Sequence, residues 1–189
     1  MTFGGLAAKA GVSKSNLTVL FGDRQALQLA ALEAAIARFI DVVVAPASGI
    51  ASPARRLRAL VENWFGYVER LTFPGGCALY ATVHEYRARP GRLRDDILRY
   101  FDEWHRLLGA TVRAAIETGE FRRDADPRET VCALTAYKHG AHVALLSGDR
   151  RSFEIMHRLS LRLLDSLAAP RSRRSRRTRA SVAVRKAHG

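Results

Sequence analysis

The chain has only two cysteines, Cys77 and Cys132, in 189 residues. Two thiols do not make a disulfide framework, and a reducing compartment keeps them as thiols; a redox-switch pair is the alternative they leave open. No apolar run reaches the roughly 18 residues needed to span a bilayer. Met1 is not followed by a basic and apolar leader. The expectation is a cytoplasmic chain with no membrane partner. Stretches of convincing period-two alternation are missing, which argues against strands. Catalytic signatures are missing too: there is no nucleophile elbow, no phosphate-cradling glycine loop and no zinc-protease histidine pair. His139 and His142 have a spacing that can bind metal, but two ligands make a poor site, and no cysteine or acid is spaced with them. His142 is expected at the surface or an interface. No catalytic residue, cofactor or metal is therefore expected, and the chain does not read as an enzyme.

Acidic residues are also short, 18 against 31 Lys and Arg, for a net charge of +13. Eight of those basic residues and no acid lie between Arg171 and Lys186, leaving +5 for the rest. That Arg/Ser run cannot form an apolar stripe and is expected to be disordered. It would attract nucleic acid through phosphates without sequence preference; a merely solubilising tail is the competing reading.

What is present begins in the first 27 residues, which read as two short helices joined by a tight turn. Leu6 and Ala7 form a small apolar face. Gly11 stands where the first helix should stop, because glycine tolerates the left-handed conformation that ends a helix. Val12 is expected to tuck between the helices. Ser13 is a strong N-cap for the second. Leu17, Leu20 and Phe21 make its expected buried stripe, leaving Lys14, Ser15, Asn16, Thr18 and Val19 on other faces. These residue types suit a DNA groove: Asn pairs with adenine edges, Ser and Thr are adaptable donors, Lys finds phosphate or guanine, and Val19 could touch a thymine methyl. An ordinary helical hairpin with a glycine turn is the plainer alternative.

The run Ala10-Gly11-Val12-Ser13-Lys14, then Leu17, Phe21-Gly22, Arg24 and Leu27, resembles the DNA-binding segment of TetR-type transcriptional regulators. A second match, Gly76-Cys77 with Gly119-Glu120-Phe121-Arg122 and Asp126-Pro127, is similar to a pattern in the regulatory half of that family. The resemblance implies a helix-turn-helix whose second helix enters the major groove. Thr2, Ser13, Lys14, Ser15, Asn16, Thr18 and Val19 would then serve DNA binding, and Arg24 would sit near a phosphate at a helix N-terminus, which favours anions. Family members usually carry a full helix before this motif, whereas this chain begins where the second helix would start. Thr18, Val19 and Leu20 stand where the family often has an aromatic pair, so a phosphate-reaching tyrosine is absent.

The rest reads as six helices: about 24–44, 53–70, 77–89, 92–118, 127–147 and 151–167, each with apolar residues stepping three and four. Pro46, Ser48, Gly49, Ser52 and Pro53 look like a linker. The expected fold is all-α, with a partial helix-turn-helix and connecting helix (1–45), a helical ligand-binding and dimerisation bundle (46–169) and a disordered basic tail (170–189). The short turn between the last two helices makes them antiparallel. Ala133, Ala136, Gly140, Ala141 and Ala144 would allow close helix approach, either across a dimer or inside one subunit. Trp64, Tyr67, Tyr80, His84, Tyr100, Phe101 and Trp104 offer aromatic walls for a cavity; Trp64, Tyr80, His84 and Trp104 are the candidate ligand contacts, with plain core filling as the alternative. The resemblance implies a ligand-responsive regulator, a repressor acting as a homodimer on palindromic double-stranded DNA, with a small hydrophobic or aromatic effector. The alternative is a small-molecule-binding dimer that does not read DNA. An enzyme using a bundle cavity would depend on His84 or on the His139/His142 pair.

Overall fold

A computed structural model describes residues 3–70, 73, 75–86 and 88–170. Thr2 and the basic stretch 171–189 lie outside the described residues. The helices are α1 (Phe3–Ala10), α2 (Lys14–Phe21), α3 (Arg24–Phe39), a π-helical turn Ile40–Val44, α4 (Ala45–Ser48), α5 (Pro53–Glu69), α6 (Ala78–Tyr86), α7 (Arg92–Glu117), α8 (Pro127–Leu146) and α9 (Arg150–Ser166). Among the described residues the only β contact is an isolated antiparallel bridge, Phe121 to Ala168.

Side-chain caps set five of the helix starts. Ser13, Asp23, Ser52, Asp126 and Asp149 each accept a hydrogen bond from a backbone N–H of the helix that follows. Such caps satisfy N–H groups that have no partner within the helix. Pro53 and Pro127 open α5 and α8, where a missing N–H costs nothing. The expected linker around Pro46 is shorter than its composition suggested. The chain stays helical through the π turn and α4, and only 49–52 remain as connection. The cause of the continuity is local: α4 takes Pro46 in its first turn, where proline is tolerated.

The downstream Gly-Glu-Phe-Arg run works as a clasp. Glu120 accepts from Ser52 Oγ at 2.5 Å and from the Ala54 N–H at 3.0 Å, so its carboxylate caps α5. Phe121 is buried. The Arg122 N–H donates to the Leu167 carbonyl at 2.8 Å, and the Ala169 N–H to the Glu120 carbonyl at 2.9 Å. One short segment thus ties the end of α7 to the start of α5 and the end of α9. Ion pairs Arg58–Asp165 and Glu69–Arg150 link α5 to α9 at the surface, where such pairs add at most about 1 kcal/mol each.

The core is one continuous cluster centred on α5, with Leu57, Leu60, Val61, Trp64, Phe65, Tyr67 and Val68 all buried. α8 and α9 pack against each other as a hairpin around the three-residue connection Ser147, Gly148 and Asp149. Of the small residues on α8, Ala141 and Ala144 are buried in this subunit, and a Cβ on Gly140 would come within 3.2 Å of Met156. Those three serve packing within the subunit. Ala136 faces solvent, and Ala133 is half-buried.

Candidate functional site

The head is α1, a turn and α2. Gly11 has φ +66°, the left-handed value that lets the chain reverse. The Ser13 hydroxyl accepts from the Asn16 N–H at 3.1 Å and shares a hydrogen bond with Ser15 at 2.9 Å, so its work is capping. Thr18 donates to the Lys14 carbonyl at 3.0 Å. Lys14, Ser15, Asn16, Thr18 and Val19 all face solvent on α2, and Arg24 is exposed at the start of α3. Leu17 is buried and seats α2 with Ala7 and Leu27.

Two expectations for the head are corrected. Leu20 is 72 % exposed rather than part of a buried stripe, and Val12 is 41 % exposed rather than tucked between the helices. The described neighbours of α2 are α1 and α3. They cover its Leu17 side and leave the Leu20 side open.

Three of the four candidate ligand contacts converge in the body. Trp64, Tyr80 and Trp104 are buried, with Trp64 and Tyr80 ring centroids 5.4 Å apart. Phe39 at the end of α3 meets Trp104 edge-on at 5.1 Å and Tyr67 at 5.8 Å. His84 is the exception. It is exposed, and its ring lies 4.6 Å from that of His139. One helical turn carries Tyr80 into the core and leaves His84 at the rim. His142 is also unlike its expectation, being buried. Its Nε2 shares a hydrogen bond with the Gly75 carbonyl at 2.9 Å. That bond holds the turn before α6, where Gly76 has φ +70° and a Cβ would meet His142 Nε2 at 2.7 Å. The Gly76-Cys77 pair thus packs the turn on α8. Among the described residues no group of three or more metal-ligating side chains is gathered.

Sequence reasoning passed over the most unusual residue here, Lys138. It is fully buried on α8, with Nζ 4.5 Å from the Trp104 ring centroid and 5.9 Å from that of Trp64. Its Nζ has no hydrogen-bond partner among the described residues, and neither do Trp64 Nε1, Trp104 Nε1, Tyr67 Oη or Tyr80 Oη. Cys77, also buried, is the common electrostatic neighbour of Tyr67, Tyr80 and Lys138. Trp64 Nε1 lies beside its thiol without reaching hydrogen-bond geometry. Burial pushes the Lys138 ammonium down to about 7, with Cys77 opposing the shift. Burial likewise pushes the Tyr67 phenol up to about 12, and the Tyr80 phenol and Cys77 thiol upward. His105, on α7, is held below its usual value by burial and then by the Lys138 charge. A signal for Lys138 was available. It falls four residues after Leu134 and three before Ala141, on the buried stripe of α8 where every third or fourth residue faces the core.

Beside this cluster a cleft of about 220 Å³ runs between α3, its π turn, α6 and α7. Ile36, Phe39, Ile40, Val44 and Leu107 line it, Trp104 is part of its wall, and Glu103, exposed and paired with Arg99 at 3.0 Å, also borders it. A larger open groove of about 640 Å³ lies between α7 and α8, past His105, Arg113, Cys132, Thr135 and His139. Cys132, Ala136, Val143 and Leu146 are exposed along α8 and, with half-buried His139, step four, three, four and three.

No curated protein matches this chain in sequence. Solved structures do match its fold. A transcriptional regulator of the TetR family from Cytophaga hutchinsonii superposes with TM-score 0.79 at 19% identity, over 90% of this chain and 86% of the other. A TetR transcriptional regulator from Chloroflexus aurantiacus J-10-FL gives 0.76 at 22%, over 87% and 82%. AibR, solved in complex with isovaleryl coenzyme A and operator DNA, gives 0.66 at 19%, over 90% and 88%. The family described as "Tetracyclin repressor-like, C-terminal domain" matches residues 53–159, more than half of the chain, and with this bundle behind an exposed two-helix head the chain belongs to the TetR family of transcriptional regulators.

Proposed function

We propose that this chain is a ligand-responsive repressor that acts in the cytoplasm as a homodimer on a palindromic operator, by binding rather than by catalysis. The observation that carries this is a mechanical connection. α3 begins at the head, where Asp23 and Arg24 follow α2, and ends at Phe39, which packs on Trp104 beside the cleft. A small molecule entering the cleft presses on the helix that holds the DNA-reading head. AibR, of the same fold, was solved with both an acyl thioester and operator DNA, so the architecture accommodates both. Lys14, Ser15, Asn16, Thr18 and Val19 would contact bases and backbone, and Arg24 a phosphate. Trp64, Tyr80 and Trp104 would line the effector site. The stepped face Cys132, Ala136, His139, Val143 and Leu146 on α8 suits a two-fold interface of helix pairs, since a 4-3-4-3 spacing is the seam of packed helices. Two-fold pairing also doubles the number of base pairs read.

Selection of bound sequences from random duplex DNA tests this. It is run at about 150 mM salt, where phosphate-only binding is weak, with the full chain beside one ending at Ala169. Enrichment of one palindrome by both supports the reading. Absence of any enriched site refutes it and favours a dimer that binds small molecules without reading DNA, a reading supported by the bare Val12 and Leu20.

A further inference from the structure

Buried polar groups in folded proteins nearly always have partners, and each exception calls for an explanation. Here five exceptions are gathered in one place: Lys138 Nζ, the indole nitrogens of Trp64 and Trp104, and the phenol oxygens of Tyr67 and Tyr80. Their chemistry is one-sided. Lysine and tryptophan only donate, the two phenols can donate, and none of the five atoms is an obligate acceptor. The missing partner is therefore an acceptor. The Trp104 ring attracts the ammonium at 4.5 Å but takes none of its N–H bonds. The charged groups facing Lys138 do not supply the acceptor either. Of the titratable groups nearby, burial pushes the Cys77 thiol on the turn before α6 up and the His105 imidazole on α7 down, so neither offers a counter-charge, and neither makes a hydrogen bond to Nζ.

The geometry says what the rest of the partner looks like. The 220 Å³ cleft has Trp104 in its wall, with Phe39, Ile36, Ile40, Val44 and Leu107 around it. That volume is below the usual range for drug-sized ligands, so it fits a short acyl chain or a single ring. Trp104 stands in the cleft wall and its ring also lies 4.5 Å from Lys138 Nζ, so this one side chain is what separates the cleft from the buried ammonium.

We infer that Lys138, with the indole N–H groups of Trp64 and Trp104 and the phenols of Tyr67 and Tyr80, receives the carboxylate of a small organic acid whose apolar body lies in the cleft between α3 and α7. This rests on the effector reading above and sharpens it, since the ligand is an anion-headed acid rather than a neutral hydrophobe. A neutral ligand would leave the buried ammonium without a counter-charge. An acid supplies two acceptor oxygens and the charge together.

Trp64 and Trp104 are the only two tryptophans in the chain, so intrinsic fluorescence reports directly on the site. The purified full-length protein is titrated with matched acids and amides: butyrate and butyramide, hexanoate and hexanamide, benzoate and benzamide, phenylacetate and phenylacetamide. At least one acid is expected to change the emission and to bind about tenfold or more tightly than its amide, a gap of roughly 1.4 kcal/mol. Lys138→Met should erase that preference while leaving amide binding in place. Independently of any variant, the acid affinity of the native protein should fall as pH rises from 6 to 9, because the ammonium is needed. Equal affinity for acid and amide, a preference that survives in Lys138→Met, or no acid binding up to about 10 mM overturns the inference. Addition of the binding acid to the protein on its selected DNA separates the two readings. Acid binding without a selected site or without DNA release refutes the repressor reading alone, whereas release by the neutral amide at equal concentration refutes the carboxylate assignment alone.

Discussion

Lys138→Met should make the empty protein more stable, and the gain should depend on pH in a way that identifies its cause. The ammonium is fully buried and unpaired. Its pKa falls from 10.5 in the unfolded chain to about 7 in the fold. At about 1.4 kcal/mol per pKa unit, the upper bound on the penalty is roughly 5 kcal/mol. It applies in full below pH 7, where both states hold the proton. Relaxation and water entry lower such penalties in real interiors, so a gain of about 2–4 kcal/mol at pH 6 is expected. Methionine keeps the length and apolar volume of the side chain without the charge, so little packing is lost. Between pH 7 and 10.5 the unfolded native chain holds one more proton than the folded one, so its stability rises with pH. The advantage of Lys138→Met therefore shrinks across that window, by up to about 1.4 kcal/mol per pH unit. His105, His139, His142 and His157 are held low mainly by burial. They cost stability near and below their ordinary value of 6.5, outside the window above pH 7; loss of the Lys138 charge relieves His105, which adds to the advantage of the variant at pH 6. Burial pushes the Cys77 thiol and the Tyr67 phenol up, so both act toward the alkaline side; Cys77 also faces Lys138, and the comparison is therefore kept at or below pH 8.5. Guanidinium unfolding of both proteins at one concentration, at pH 6, 7, 8 and 8.5, measures the difference. A variant less stable than the parent at pH 6, or an advantage that stays constant with pH, refutes the claim that Lys138 is a desolvated, uncompensated charge.

Gly76→Ala should cost about 2–4 kcal/mol by thermal or denaturant unfolding, because φ is +70° and the new methyl meets His142 Nε2 at 2.7 Å. Glu120→Ala should cost about 1–2 kcal/mol in the same measurement, since it leaves the start of α5 without the acceptor for the Ala54 N–H and for Ser52 Oγ. On a selected operator, Lys14→Ala should weaken binding across all sequences and reduce the slope of log affinity against log salt by about 1, whereas Asn16→Ala should relax preference at one base position; gel-shift titrations at several salt concentrations separate the two. Val143→Arg places a charge on the exposed α8 stripe and should convert the proposed dimer to monomer in sedimentation velocity without lowering helicity by circular dichroism.

The helices were legible because each carried both a stripe and a stop. Ser52-Pro53 and Asp126-Pro127 marked the starts of α5 and α8 to the residue, and the antiparallel α8–α9 pair followed from its short turn. The π turn was not legible. Ile40–Val44 keeps an apolar pattern that an α-helix also fits, and only tertiary contact decides the extra residue: Val43 is fully buried and its carbonyl accepts from Asn63 on α5 at 3.0 Å. For the site, the tryptophans and Tyr80 were legible as large aromatics at helical spacing, although that pattern alone fits a filled core equally well. Position decided the rest. His84 lies one turn beyond Tyr80, where α6 leaves the core. Lys138 hid behind the expectation that a charge on a helix faces water, and it was the unmet hydrogen bonds around it that turned an aromatic core into a candidate binding site. Leu20 and Val12 show the opposite limit, because an apolar residue is buried only where another element arrives to cover it.

The position of the π turn argues for how such a site could act on DNA. Over its 16 residues α3 is about 24 Å long. Its first turn is fixed to α2, and its last residue, Phe39, sits on Trp104. A regular helix anchored in the bundle would resist displacement at that end. Here the helix passes at Ile40 into a turn whose hydrogen bonds span one residue more, a geometry that recurs at functional sites. Ile40 and Val44 of that turn line the same cleft as Trp104. A ligand body that needs more room than the cleft gives would push on Trp104 and on the π turn that follows α3, the one stretch of this run that is not regular α-helix. Small displacements there are carried to Arg24 along a rigid rod and grow with the distance from the pivot. On the proposed function, operator and ligand would prefer different settings of the same rod, and the differential affinity of each for the two settings is what would allow one to oppose the other.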